Sequence, residues 1–193
     1  MSYNCCVTGG LELQSCVNIL PGISSLYVLT SGTGTTECSL DTISYSGTGE
    51  VIGFTGSTSG LEFAKIDLVR NSAAALNEAV SVNVPSLGFV YQTQLIFTMP
   101  SIQQSHTNLY QEIVQNTASV FIVELKSGKY FLATPSGMYL ESATIASGSV
   151  PGDDQLYNLT LTSQEQKSVP QIAVNTTLTA WLAANTNITL DRE

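Results

Sequence analysis

Positive charge is scarce in this chain. Six Lys and Arg residues stand against fifteen Asp and Glu among 193 residues, for a formal net charge of −9. No basic run is present, so the clustered cations that displace counterions from nucleic acid are missing, and stable nucleic-acid binding is not expected. Charged residues of both signs make up only 11% of the chain, against about 25% in an average domain. The surface must therefore be dressed in Ser, Thr, Asn, Gln and Gly. Such a surface suits a protein whose faces are covered by neighbours, and secreted β-proteins share it.

Other scarcities remove whole classes of chemistry. His106 is the only histidine, and the four cysteines, Cys5, Cys6, Cys16 and Cys38, include no C-x-x-C pair. Neither a zinc site nor a disulfide framework is expected from them, and reduced, partly buried thiols are. The glycine-rich stretch from Ser31 to Gly60 repeats SGTG but offers no Lys-Ser/Thr for a phosphate loop. A nucleophile elbow is missing too, because GSTSG at 56–60 carries Thr58 at the nucleophile position. Asp153-Asp154 supplies too few oxygens in a defined run for a calcium loop and reads as loop-solvating charge. Paired carboxylates converging in space stay open, but the aromatic platforms of a sugar cleft are thin, with one tryptophan, Trp181. No catalytic residue, metal or cofactor is expected, and the chain does not read as an enzyme. MSYNCCVTGG shows no basic stretch ahead of an apolar one, so no signal peptide is expected. No window reaches the roughly 20 apolar residues of a membrane helix, so no membrane partner is expected either.

What is present is β-pattern. Ile23–Thr30 follows a Pro-Gly turn, and short strands near Asp41–Tyr45 and Glu50–Phe54 fit between Gly-rich turns. In Leu61–Val69, Ala64, Ile66 and Leu68 share one face and Lys65 and Asp67 the other; in Ala79–Val84, three valines oppose Ser81 and Asn83. With the polar tip from Arg70 to Glu78 between them, these segments read as one long, half-buried hairpin. Phe89–Met99 alternates again, with Phe89, Tyr91, Leu95 and Phe97 opposite Gln92 and Gln94.

After Pro100, with Ser101 or Ser105 as cap, Ile102, Leu109 and Ile113 form the stripe of one amphipathic helix, and His106 sits beside it as a boundary residue. Val120–Leu125 reads as a central strand. Ser127-Gly128 and Pro135-Ser136-Gly137 turn the chain into Lys129–Ala133 and Met138–Ile145, and Leu156–Thr162 is the last strong strand. The expected fold is mainly β: an antiparallel sandwich or open barrel with one flanking α-helix and a long hairpin. Residues 1–193 read as a single domain with mobile ends, and Trp181 lies in a tail that docks on the body or on a neighbour.

The order SGKYFLA, SGMYLESATIASG and GDDQLYNLTLTSQEQ, with Pro170 after it and Cys16 and Pro21-Gly22-Ile23 near the start, resembles tail-tube-like structural proteins of tailed bacteriophages, of the type found in phages of Bacteroidetes. One departure is the simple Pro-Gly where a Gly-Gly would be usual.

The resemblance implies a virion structural protein that self-assembles into stacked hexameric rings, forming a non-adhesive channel for DNA. It implies a location in the phage tail, with assembly in the host bacterial cytoplasm. Its partners would be itself, other tail or head–tail connector proteins, and DNA in transient passage without specific binding. The N-terminal arm (about 1–20) and the tail (about 171–193) would contact neighbouring subunits. Candidate residues for the assembly hairpin and lumen are Lys65, Asp67, Arg70, Asn71, Ser81 and Asn83. Lys126, Lys129, Asp153 and Asp154 would lie on ring-stacking loops. A connector or terminator ring, a capsid decoration protein, and a carbohydrate-binding fibre module are the alternatives.

Overall fold

The computed structural model describes residues 22–31, 38–57, 60–66, 68, 74–83, 88–100, 103–148 and 155–191. Among these, twelve strands and two helices follow one another. They are β1 (Ile23–Ser31), β2 (Leu40–Tyr45), β3 (Val51–Gly56), β4 (Leu61–Ile66), β5 (Ala75–Asn83), β6 (Gly88–Pro100), α1 (Gln104–Gln115), β7 (Phe121–Leu125), β8 (Tyr130–Leu132), β9 (Tyr139–Ala146), β10 (Leu156–Glu165), β11 (Gln171–Ile172), α2 (Leu178–Asn185) and β12 (Thr189–Leu190). The protein is mainly β, and its larger sheet curls into a half-barrel.

That sheet has eight strands in the order β12-β4-β1-β7-β8-β11-β3-β2, and the second has four, in the order β5-β6-β10-β9. Strand β1 explains how they pack. Its side chains point alternately to opposite faces. Leu26 and Val28 enter a core shared with Leu95, Phe97, Leu159 and Leu161 of the four-stranded sheet. Tyr27 and Leu29 enter a second core, shared with Phe54, Phe63, Trp181 and Leu182 inside the curl. Neighbouring β7 divides likewise, with Phe121 and Val123 on one side and Ile122 on the other. Apolar residues on both faces are what a strand covered on both sides requires.

The turns at Ser127-Gly128 and Ser136-Gly137 form where the sequence places them. Gly128 takes φ +77° and Gly137 φ +83°, a region that costs a side-chain-bearing residue about 1 kcal/mol or more. Helix α1 also forms as expected, but Gln103 precedes it without a side-chain cap. Ile113 is its buried residue, and Leu109 and Tyr110 pack against the first core.

Three expectations are corrected. The segments at 61–66 and 75–83 do not form a hairpin. Strand β4 pairs with β1, Ala64 opposite Val28, and β5 pairs with β6, Val80 opposite Tyr91, so the two lie in different sheets. The alternation seen in sequence is real; the partner inferred from adjacency is not. The described valines are not packed inward either: Val80 is 52% exposed and Val82 53%, while Val84 lies outside the described residues. Nor is there one helix. The tail supplies β11, α2 and β12, and α2 buries Leu178, Trp181 and Leu182 in the half-barrel. The exposed side of α2 is made of Ala180, Ala183 and Ala184, with Asn185 at its end, so few polar residues mark it off from the buried Leu178, Trp181 and Leu182.

Candidate functional site

The four-stranded sheet presents one face to the first core and the other outward. On β6, Leu95, Phe97 and Met99 are buried inward, which turns Gln92, Gln94 and Thr98 outward together with the apolar Val90 and Ile96. Residues directly opposite in an antiparallel pair share a face. The register therefore adds Asn77, Ala79 and Ser81 from β5 and Asn158, Thr160 and Gln164 from β10. Ser142, Thr144 and Tyr139 of β9 complete it, with an irregularity between Thr160 and Leu161 that accommodates Glu141. Among the described residues this face carries no Lys or Arg and one carboxylate, Glu141.

Two pairs of its polar side chains bind each other. Thr98 Oγ1 donates to Asn158 Oδ1 at 2.8 Å, and Gln94 Nε2 donates to Glu141 Oε2 at 3.1 Å. Groups that satisfy each other across strands present fewer free donors to a passing ligand. In the described structure both edges of the sheet are unpaired, β5 on one side and β9 on the other. Three antiparallel pairings separate them, so β5 and β9 run in opposite directions. A β9 from another copy would therefore continue the ladder on β5 as a further antiparallel strand.

The residues singled out from sequence are dispersed. Lys65 lies exposed on β4 opposite Tyr27, beside a cleft of about 500 Å³ that Glu62, Glu112, His106 and Asp191 also line. Ser81 lies on the outward face of the other sheet, so the structure does not bring these two together. Asn83 ends β5. Asp67, Arg70, Asn71, Asp153 and Asp154 lie outside the described residues, as do Cys5, Cys6, Cys16 and the arm at about 1–20. Lys126 and Lys129 flank the β7–β8 turn, closed by the Gly128 N–H donating to the Leu125 carbonyl at 2.9 Å.

In the cleft, burial and then the charge of Glu62 push the Glu112 carboxyl up. Burial, followed by Glu112, raises the Cys38 thiol. The His106 Nδ1 lies 2.7 Å from the Pro100 carbonyl and its Nε2 lies 3.1 Å from Gln103 Nε2, which fixes the ring at the start of α1. At the other end of β1, Glu124 accepts from Tyr27 at 3.1 Å and from Tyr130 at 3.2 Å. Among the described residues no group of three His, Cys, Asp or Glu side chains is placed to hold a metal ion, and no helix is long and apolar enough to cross a membrane.

No family model, curated protein or solved structure matches the chain. Function must therefore be argued from this surface. The sequence signal for it was the Gln92/Gln94 alternation on β6. The part β9 and β10 play in the same face had no local signal, because it depends on register across strands 60 residues apart, as in Thr98 against Asn158.

Proposed function

We propose that the chain is a virion structural protein that assembles into stacked rings, hexameric by the resemblance, forming the tail tube of a phage. The observation that carries this reading is the outward face of the four-stranded sheet, which among the described residues is free of Lys and Arg and flanked by two open edges. Edge strands left unpaired are sites of uncontrolled association. Closing copies in a ring, β5 of one against β9 of the next, satisfies both edges at once. The polar face then becomes the channel wall. Phosphates meet no cations there, and the carboxylate of Glu141 repels them over a Debye length of about 8 Å. DNA slides without adsorbing, as the scarcity of basic residues favours.

This replaces the expected 61–84 hairpin as the ring-closing element. The β7–β8 turn, with Lys126 and Lys129, is the candidate contact with the next ring, whose acidic composition offers opposite charge. Electron microscopy of the concentrated, purified protein is the test. The expected result is rings or tubes with a central channel. A single-chain mass at every concentration in sedimentation would overturn the reading. A single ring per particle, rather than many stacked copies, would assign it instead to a connector or terminator position.

A further inference from the structure

Strand β11 lies between β8 and β3, so among the described residues β2 and β3 join the other strands of the larger sheet only through it. The join is short. On one side Ile172 stands opposite Val51, and the Ala173 N–H donates to the Val51 carbonyl at 2.9 Å. On the other, Gln171 and Ile172 stand opposite Phe131 and Tyr130, and the Leu132 N–H donates to the Pro170 carbonyl at 3.1 Å. Without β11, the β2–β3 hairpin is a two-stranded ribbon, which is marginal in water by itself.

The rest of the tail fastens the same hairpin. Val51 and Phe54 are the buried residues of β2 and β3, and they lie in the core that Ile172, Trp181, Leu182 and Ile188 enter from the tail. The Trp181 and Phe54 ring centroids are 5.5 Å apart, and Asn187 Oδ1 accepts from the Gly56 N–H at 2.8 Å. Phe54 also meets the body, edge to face with Phe63 at 6.0 Å. Strand β12 then closes the tail on β4, where the Asp191 N–H donates to the Phe63 carbonyl at 3.0 Å. Neither partner is self-sufficient, since a helix as short as α2 also needs packing to persist. By contrast, β4, β1, β7 and β8 keep their own ladder and pack on the four-stranded sheet through the first core.

We propose that residues 171–190 are a clasp: the tail and the β2–β3 hairpin open together as one cooperative unit while the remaining strands stay folded. Such units open at a lower free energy than the whole domain unfolds. Opening uncovers the inner face of the curl, at Tyr27, Leu29, Phe63 and Ile122, and frees the edge of β8.

Native-state hydrogen exchange of the full chain, read residue by residue by NMR at low urea, is the experiment. The Ala173 and Asp191 amides and those paired between β2 and β3 are expected to share one opening free energy. The Leu29 amide, which donates to Val120, and the Ala133 amide, which donates to Phe121, should exchange more slowly. The cap of α2 tests the coupling, because the Ala180 N–H donates to Thr177 Oγ1 at 3.3 Å and Thr177 is exposed. Thr177→Ala should speed exchange about fivefold in the tail and equally in β2–β3, with Leu29 and Ala133 unchanged. Thr177→Ser, which keeps the acceptor, should exchange as wild type does. Exchange in β2–β3 that stays at the wild-type rate in Thr177→Ala would overturn the joint opening. An equal change at Leu29 and Ala133 would overturn it too, since the protein would then open only as a whole.

Discussion

Gln94 and Glu141 meet across an intervening strand, Nε2 to Oε2 at 3.1 Å. Gln94 stands on β6 opposite Thr162 of β10, and Thr162 stands opposite Tyr139 of β9. The hydrogen bond thus spans three strands of one face and tethers the carboxylate that this face carries. Reversing its sign tests the role assigned to the face. Glu141→Lys places one cation per subunit where phosphates would pass. Assembled wild type is expected not to retain duplex DNA at low ionic strength. The variant should retain it at least about tenfold more tightly and release it as salt is raised. Filter binding reads both, and wild type that holds DNA as well as the variant does would count against a non-adhesive wall.

The β7–β8 turn offers a second charge test. Lys126 is exposed and Lys129 half-buried, on either side of Gly128. Replacing both with Glu should change unfolding free energy by no more than about 0.5 kcal/mol, as for most surface sites. Tubes should shorten or fall to single rings in electron micrographs. Tubes of unchanged length would remove these lysines from the stacking contact.

The alkaline limit of stability should be set in part by Glu124 and its two phenols. Burial first, and then the charge of Glu124, push Tyr27 from 10.0 up to about 12. Burial and Glu124 likewise raise Tyr130. A group whose pKa is higher folded than unfolded contributes stability that is complete below the unfolded value and lost as pH rises through the folded one. The urea midpoint should therefore hold steady up to about pH 10 and fall between about pH 10 and 12. Tyr27→Phe should flatten that fall and cost about 1–2 kcal/mol near neutrality, where Glu124 loses a donor. A variant with the wild-type alkaline slope would show that Tyr27 is not the group responsible.

Trp181 is the largest side chain inside the half-barrel, with its ring centroid 5.5 Å from that of Phe54. Trp181→Ala leaves a cavity among Phe54, Phe63 and Leu182, and should cost about 3–5 kcal/mol. That is a large share of the 5–15 kcal/mol of a typical domain. Denaturant unfolding measures it, and a loss below about 1 kcal/mol would mean that the curled sheet does not depend on α2.

Much of the local structure was legible in particular residues. The Gln92–Gln94 alternation and the Ile113 helical stripe each mark a real element, and Ser127-Gly128 marks a real turn; the Lys65 alternation marks the real strand β4, but the Lys65 face is buried as well, at Leu61 and Phe63. The valines of β5 misled. Their alternation is that of a strand with one apolar face, and the natural assumption is that the body covers it. Coverage depends on where β10 stops, at Glu165, which nothing in β5 itself records. Helix α2 was hidden for another reason: its exposed positions are mostly alanines, Ala180, Ala183 and Ala184, so no polar face sets a period against the buried Leu178, Trp181 and Leu182.

By itself the sequence determined the faces: which side chains on each strand turn to the same side, where the chain turns, and how few charges any surface would carry. These follow from the two-residue period of a strand and the backbone freedom of glycine, both local properties. Only the tertiary structure decided the partners. It set β4 against β1, sent β5 to the other sheet, wrapped eight strands around Trp181, and left Val82 and Phe89 beyond the last supporting strand. Strand pairing joins residues far apart in the chain, and the free energy that selects one pairing is the burial of two faces together, which neither strand specifies alone.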